Sequence, residues 1–245
     1  MEEFMSYNNI SLSNLLKKLA IFVFKHLESD RIINHQTTEE TITDLLVRKM
    51  KQWKFNNPSS KFDINSFSKR QEALNGADFE WDWYFVDKSR KKWLGFRIQA
   101  KVLDLKSNRF KHIDHKQGNQ LKNLENVSLN ENRIPFYCFY LTYPKHKDIY
   151  GCSLSSSDKI KSLLKTNKKP FIKDVLQISF PWHELFNKKK GKGLIDSILF
   201  NLKKRNIDFK LLTKDEISRI TDLVKKGLDD QDIKANIITI IQEKD

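Results

Sequence analysis

The sequence predicts an α/β domain, with helices and strands interleaved around a sheet. Three observations carry that prediction. Stretches 78–85 and 93–103 alternate apolar and polar residues with the period of two that a strand imposes. Stretches 11–28 and 38–53 repeat apolar residues every three or four positions, the period of a helix packed on one face. Segments of both kinds then follow one another along the chain, which suits a layered α/β core rather than a bundle or a sandwich.

The first helix, 11–28, starts at a Ser11 or Ser13 cap and turns Leu12, Leu15, Leu16, Leu19, Phe22, Val23 and Leu27 to one side. The second, 38–53, starts at Thr37 or Thr38. It carries Glu39 and Glu40 in its first turn, where the helix dipole favours anions, and Ile42, Leu45, Leu46 and Met50 on its apolar stripe. Residues 54–76 are polar and hold Pro58 and Gly76, which predicts a loop with one strand near 62–67. In 78–85, Phe79, Trp81, Trp83 and Phe85 oppose Asp78, Glu80, Asp82 and Tyr84. In 93–103, Leu94, Phe96, Ile98, Ala100 and Val102 oppose Arg97, Gln99 and Lys101. The polar link 87–92 joins the two as a hairpin, with a row of acids beside a row of Arg, Gln and Lys on an exposed face.

A basic, His-containing segment follows Leu105, then a helix at 119–126, an apolar strand at 133–143, a strand at 149–153 and a helix at 157–165. A strand at 175–180 is ended by Pro181, and a helix at 194–204 follows the KKKGKG tract of 188–193. Residues 213–245 predict two helices broken at Gly227, one lined by Ile217, Ile220 and Val224, the other by Ile233, Ile237, Ile240 and Ile241. The chain thus divides into a core domain, 1–205, and a C-terminal helical hairpin, 206–245. Residues 216–236 also have the helix–turn–helix spacing of DNA-binding modules, but such modules normally need a third helix, so a hairpin packed on the core is favoured.

Lys and Arg number 45 against 31 Asp and Glu, a formal net charge of +14, which makes a polyanion the first partner to consider. With 39% hydrophobic residues and 17 Phe, the chain is too apolar to be disordered. Cys138 and Cys152 are its only cysteines, which excludes a disulfide scaffold and a CxxC zinc site and suits a reducing compartment. The most apolar run, 19–24, is far short of the roughly 20 residues that cross a bilayer, and the acidic Met1-Glu2-Glu3 start is not that of a secretory signal. A cytoplasmic protein with no membrane partner is expected.

Phosphodiester hydrolysis gathers negative charge on the phosphate and the leaving oxygen and requires an activated water. A divalent cation held by oxygen ligands, with a lysine beside it, meets both demands. Asp78 on one strand and Gln99 and Lys101, two apart on its partner, supply that set. Ala100 between them points into the core and leaves its backbone carbonyl to the cation.

Glu40 on an early helix, Asp78 within Gly76-Ala77-Asp78-Phe79-Glu80, and Gln99-Ala100-Lys101 together resemble the PD-(D/E)xK nuclease superfamily, in the QxK form of Mrr-like restriction endonucleases. More narrowly, GADFEWDWYF, LGFRIQAKVL, GNQLKNL, IPFYCFY and PWHELF, spread over residues 40–186, resemble a bacterial family built around this signature. The resemblance implies a restriction-endonuclease-like core, with a central mixed sheet flanked by helices. It also implies Mg²⁺-dependent cleavage of DNA in restriction or antiviral defence, with Mn²⁺ as a substitute ion. Asp78 would be the principal metal ligand, joined by the Gln99 amide oxygen and the Ala100 carbonyl. Lys101 would be the catalytic lysine and Glu40 a second-metal or water-positioning carboxylate, with Asp44 one turn on as its substitute. A neutral Gln holds the cation less strongly than an acid, so Glu80 or Glu40 must supply the missing charge. Gln120 resembles a glutamine that some RecB-like members carry. Arg97, Gln120 and the basic residues Lys106, Arg109, Lys111, His112, His115 and Lys116 are the expected nucleic-acid contacts. RNA is the alternative substrate, and a binding module or defence-complex subunit without turnover the alternative function. Cleavage of both strands would favour a homodimer.

Overall fold

In a computed structural model, which describes residues 10–58, 60, 62–68, 80–114, 119–143, 147–226 and 237–243, the chain opens with two capped helices. The Ser11 side chain accepts from the Asn14 amide at the start of α1 (Leu12–Ile32), and Thr38 accepts from Thr41 at the start of α2 (Glu39–Asn56). Strand β1 (Phe62–Ser68) follows, and then the expected hairpin, β2 (Glu80–Asp87) and β3 (Lys92–Val102). Its register pairs Glu80 with Gln99, Asp82 with Arg97 and Trp83 with Phe96. The remaining elements are α3 (Asn119–Asn130), β4 (Arg133–Tyr140), β5 (Cys152–Ser156), α4 (Ser157–Thr166), α5 (Ile172–Ile178), β6 (Phe180–Pro181), α6 (Leu194–Lys203), α7 (Lys214–Lys226) and β7 (Ile237–Glu243).

The strands form one mixed seven-stranded sheet in the order β1-β7-β2-β3-β4-β5-β6, flanked by helices, as the α/β reading predicts. β2 and β3 are antiparallel, while β3 with β4 and β2 with β7 are parallel. Trp81, Trp83 and Phe85 point to one side of the sheet, where Trp83 meets Trp182 and Phe186 with ring centroids 5.6 and 5.8 Å apart. The Trp182 indole donates to the Leu16 carbonyl at 2.7 Å, which ties this layer to α1. A Cβ at Gly151 would run into the α1 backbone at Ala20 and Phe24, so only glycine permits that close approach.

The opposite side of the hairpin corrects an expectation. The row containing Asp82, Arg97, Gln99 and Lys101 does not face water: these side chains are between 1% and 4% exposed. A second apolar cluster of Tyr84, Val86, Leu212, Ile217 and Ile238 lies on this side, and α3 packs across β3 and β4. Charges withdrawn from water need partners. Arg97 grips both oxygens of Asp82, from Nε at 2.9 Å and Nη2 at 3.1 Å, and Arg133 reaches Asp82, Glu131 and the Tyr84 hydroxyl. Arg97 is therefore a structural ion-pair partner buried in the fold rather than a nucleic-acid contact.

Two local expectations also change. Residues 172–178 are helical, and the predicted strand at 175–180 shrinks to the two residues of β6. The stretch holding Ile237, Ile240 and Ile241 is a strand, not the second helix of a hairpin. β7 lies between β1 and β2, so the C-terminal segment completes the sheet instead of forming a helical appendage. Its run Ile237-Ile238-Thr239-Ile240-Ile241 is β-branched throughout, as suits a strand covered on both faces. Among the described residues, no helix is long and apolar enough to cross a membrane.

Candidate active site around Lys101

β3 sets the geometry. Its pleat brings Arg97, Gln99 and Lys101 out on one face, and Ala100, 1% exposed, points into the core as expected. Toward the end of the strand, Lys101 lies under α3, where its Nζ donates to Gln120 Oε1 at 3.1 Å. Gln120 is itself buried, at 4% exposure. Its place in the fold is beside the lysine, holding the ammonium, rather than on a surface that meets a nucleic-acid chain.

Lys101 also borders an open cavity of about 330 Å³, whose other walls include Thr38, Glu39, Asp104, Lys111 and His112. The N-terminus of α2 forms one side. Glu39, in its first turn, accepts from the Val102 amide through Oε1 at 3.4 Å and so lies against the end of β3. Glu40 is exposed and does not border this cavity. It lies near Asp44 instead, whose carboxyl is raised above its ordinary value by burial and by the Glu40 charge. Successive helix residues are about 100° apart around the axis, so the exchange of Glu40 for Glu39 is one step of rotation. The pair of glutamates after the Thr38 cap was the signal available in the sequence.

Asp104 forms the floor. Partial burial alone would raise its carboxyl, but the Lys111 ammonium and the Ser107 hydroxyl and amide outweigh that and hold it at about 2. Lys111 is thus engaged in an ion pair with Asp104 at the cavity wall, while His112 is exposed on the rim. Arg109 is a staple: it pairs with Asp104 and Phe171 through the backbone, donates from Nη1 to the Lys169 carbonyl at 2.8 Å, and lays its guanidinium 3.4 Å from the centre of the Phe171 ring. Lys106 is exposed and borders a neighbouring cavity. Asp78, His115 and Lys116 lie outside the described residues, as does the side chain of Glu80, whose backbone pairs with Gln99.

Among the described residues, no three carboxylate, imidazole or thiol groups come together as a metal site. The cavity wall nonetheless offers carboxylate and hydroxyl oxygens from Glu39, Asp104 and Thr38, the donor chemistry that suits Mg²⁺ or Mn²⁺, and no thiol. Cys138 and Cys152 are buried elsewhere in the sheet. The KKKGKG tract folds onto α6, with the ammonium groups of Lys189 and Lys192 over the Phe200 ring, and Gly193 packs against the Arg90 guanidinium. That places it at the hairpin turn, the far end of β3 from Lys101.

A family model described as a family of unknown function (DUF6615) matches residues 12–245 of the chain. Among curated proteins, none matches.

Proposed function

The chain belongs to that family of unknown function, and from the chemistry of the Lys101 cleft we propose that it is a Mg²⁺-dependent nuclease hydrolysing phosphodiester bonds in DNA. One observation carries the reading: a nearly buried lysine is held by a buried glutamine on the wall of an open cavity that also contains a carboxylate from the first turn of α2. An ammonium sequestered in this way is costly to a fold that has no use for it. The resemblance of Gln99-Ala100-Lys101 to the QxK strand supplies the use, and with it the proposed setting in restriction or antiviral defence.

The roles follow from the residues. Gln120 fixes the Lys101 Nζ, so that its charge would stabilise the negative charge developing on the attacked phosphate. Glu39, bordering the same cavity, would take the place assigned to Glu40 and orient the attacking water. The resemblance gives Asp78, the Gln99 amide oxygen and the Ala100 carbonyl as the groups that would hold the cation, and the cavity wall adds the oxygens of Glu39 and Thr38; the ion would supply Lewis-acid polarisation of the phosphate and a more acidic water. With Gln99 neutral, Glu39 would also offset part of the cation's charge, a contribution that Glu80 or Glu40 would otherwise make.

Labelled DNA and RNA oligonucleotides incubated with Mg²⁺ test the assignment. Asp78→Ala and Glu39→Ala are expected to lower the cleavage rate at least a hundredfold while leaving binding intact, and Glu40→Ala to change it less than threefold. Cleavage of RNA alone would move the substrate from DNA to RNA. Tight binding without cleavage in any divalent ion would replace the enzyme by a nucleic-acid-binding module.

A further inference from the structure

The Lys101 cavity has a neighbour. A second opening of about 400 Å³ shares Gln36 and Asp104 with it and is otherwise bordered by Arg31, Asn34, His35, Leu105 and Lys106. Gln36 forms the partition. Its amide nitrogen donates to the Leu103 carbonyl and its amide oxygen accepts from the Leu105 amide, at 3.2 and 3.0 Å, so it is clamped to the chain that leaves β3.

The charges of the second cavity do not cancel. Arg31, at the end of α1, is half-buried and held by two neutral acceptors, the Asn108 side-chain oxygen at 2.9 Å and the Thr142 carbonyl at 3.3 Å. No carboxylate lies within ion-pair distance of Arg31 or of Lys106 among the described residues. The one acid on the wall, Asp104, is already engaged by Lys111. A guanidinium oriented by neutral groups, facing a cavity beside a lysine, is an arrangement that suits a phosphate. Its position is fixed before binding, and no internal anion has to be displaced.

We propose that this second cavity is a subsite for the phosphate next to the scissile one on the nucleic-acid strand, read by Arg31 and Lys106. The inference rests on the nuclease reading, since it takes the strand past Gln36 from the Lys101 cavity into its neighbour. Arg31 then positions substrate and takes no part in bond breaking.

Fluorescence anisotropy with a labelled DNA oligonucleotide in EDTA separates the two readings, because it needs no turnover. Wild type is compared with Lys106→Glu, the Arg31→Ala/Lys106→Ala double variant and a surface control, Lys159→Ala on α4. Lys106→Glu guards against a fold effect, since Lys106 is exposed whereas Arg31 braces Asn108 and Thr142. The subsite predicts that affinity falls about tenfold in Lys106→Glu and more in the double variant. It also predicts that the slope of log affinity against log salt flattens by about one in the double variant, for the one phosphate no longer neutralised, with Lys159→Ala unchanged. Wild-type affinity and slope in both test variants would overturn the subsite and leave the nuclease reading standing. Failure of the wild-type chain to bind DNA or RNA at all would overturn both.

Discussion

Lys101 and Gln120 are the two residues from which the proposed chemistry is built. A lysine 4% exposed loses most of its hydration, and the Gln120 carbonyl oxygen at 3.1 Å replaces part of it. A hydrogen bond to a charged group contributes roughly 1.5–3 kcal/mol, and its loss leaves the buried ammonium undersatisfied. Gln120→Leu keeps the shape and removes the acceptor. It is expected to lower stability by about that amount in urea unfolding and kcat by at least tenfold, with KM little changed. Gln120→Glu, which retains an acceptor oxygen, should recover most of both. Equal loss in the two variants would mean that Gln120 acts through packing alone. The choice between Glu39 and Glu40 belongs at this scale as well. A cap at Thr38 and two acids after it are plain in the sequence, but which acid turns toward β3 depends on how α2 is rotated against the sheet, and that is set by distant contacts.

Among the elements, β7 departs furthest from what the sequence suggests. Ile233, Ile237, Ile240 and Ile241 fit a helical stripe, yet the same stretch is an unbroken run of β-branched residues from Ile237 to Ile241, and the partners that decide between the two readings lie more than 150 residues away in β1 and β2. The hairpin β2–β3 was legible because its partners are adjacent and its turn is short, and local alternation also put Asp82, Arg97, Gln99 and Lys101 on one face. What alternation did not convey was cover. Asp82, Arg97 and Lys101 look like a solvated row until α3 and the cluster around Leu212 and Ile217 close over that side. The position of β7 as an interior strand, between β1 and β2, has a direct consequence. A chain ending at residue 236 loses buried Ile237, Ile238, Thr239 and Ile241 and leaves the facing edges of β1 and β2 unpaired. It is expected to show no cooperative thermal transition by circular dichroism, whereas a helical appendage could be removed with the core transition intact.

Across the whole molecule, the excess of +14 and the fold act together. A positive net charge would draw a polyanion to the surface without specifying a site. The sheet supplies the site by ending β3 beneath α3 and against the first turn of α2, so that an ammonium, a carboxylate and a further cationic cavity are neighbours. The far basic tract at Lys188–Lys192 lies at the other end of β3 and is not needed for this chemistry. The most direct test of the central claim is a single-turnover time course on supercoiled plasmid with Mg²⁺, wild type beside Lys101→Met. The account predicts nicked or linear product from the wild-type chain, abolished by EDTA and slowed at least a hundredfold by the substitution. Equal cleavage by both proteins, or none by the wild type with either Mg²⁺ or Mn²⁺, would contradict it.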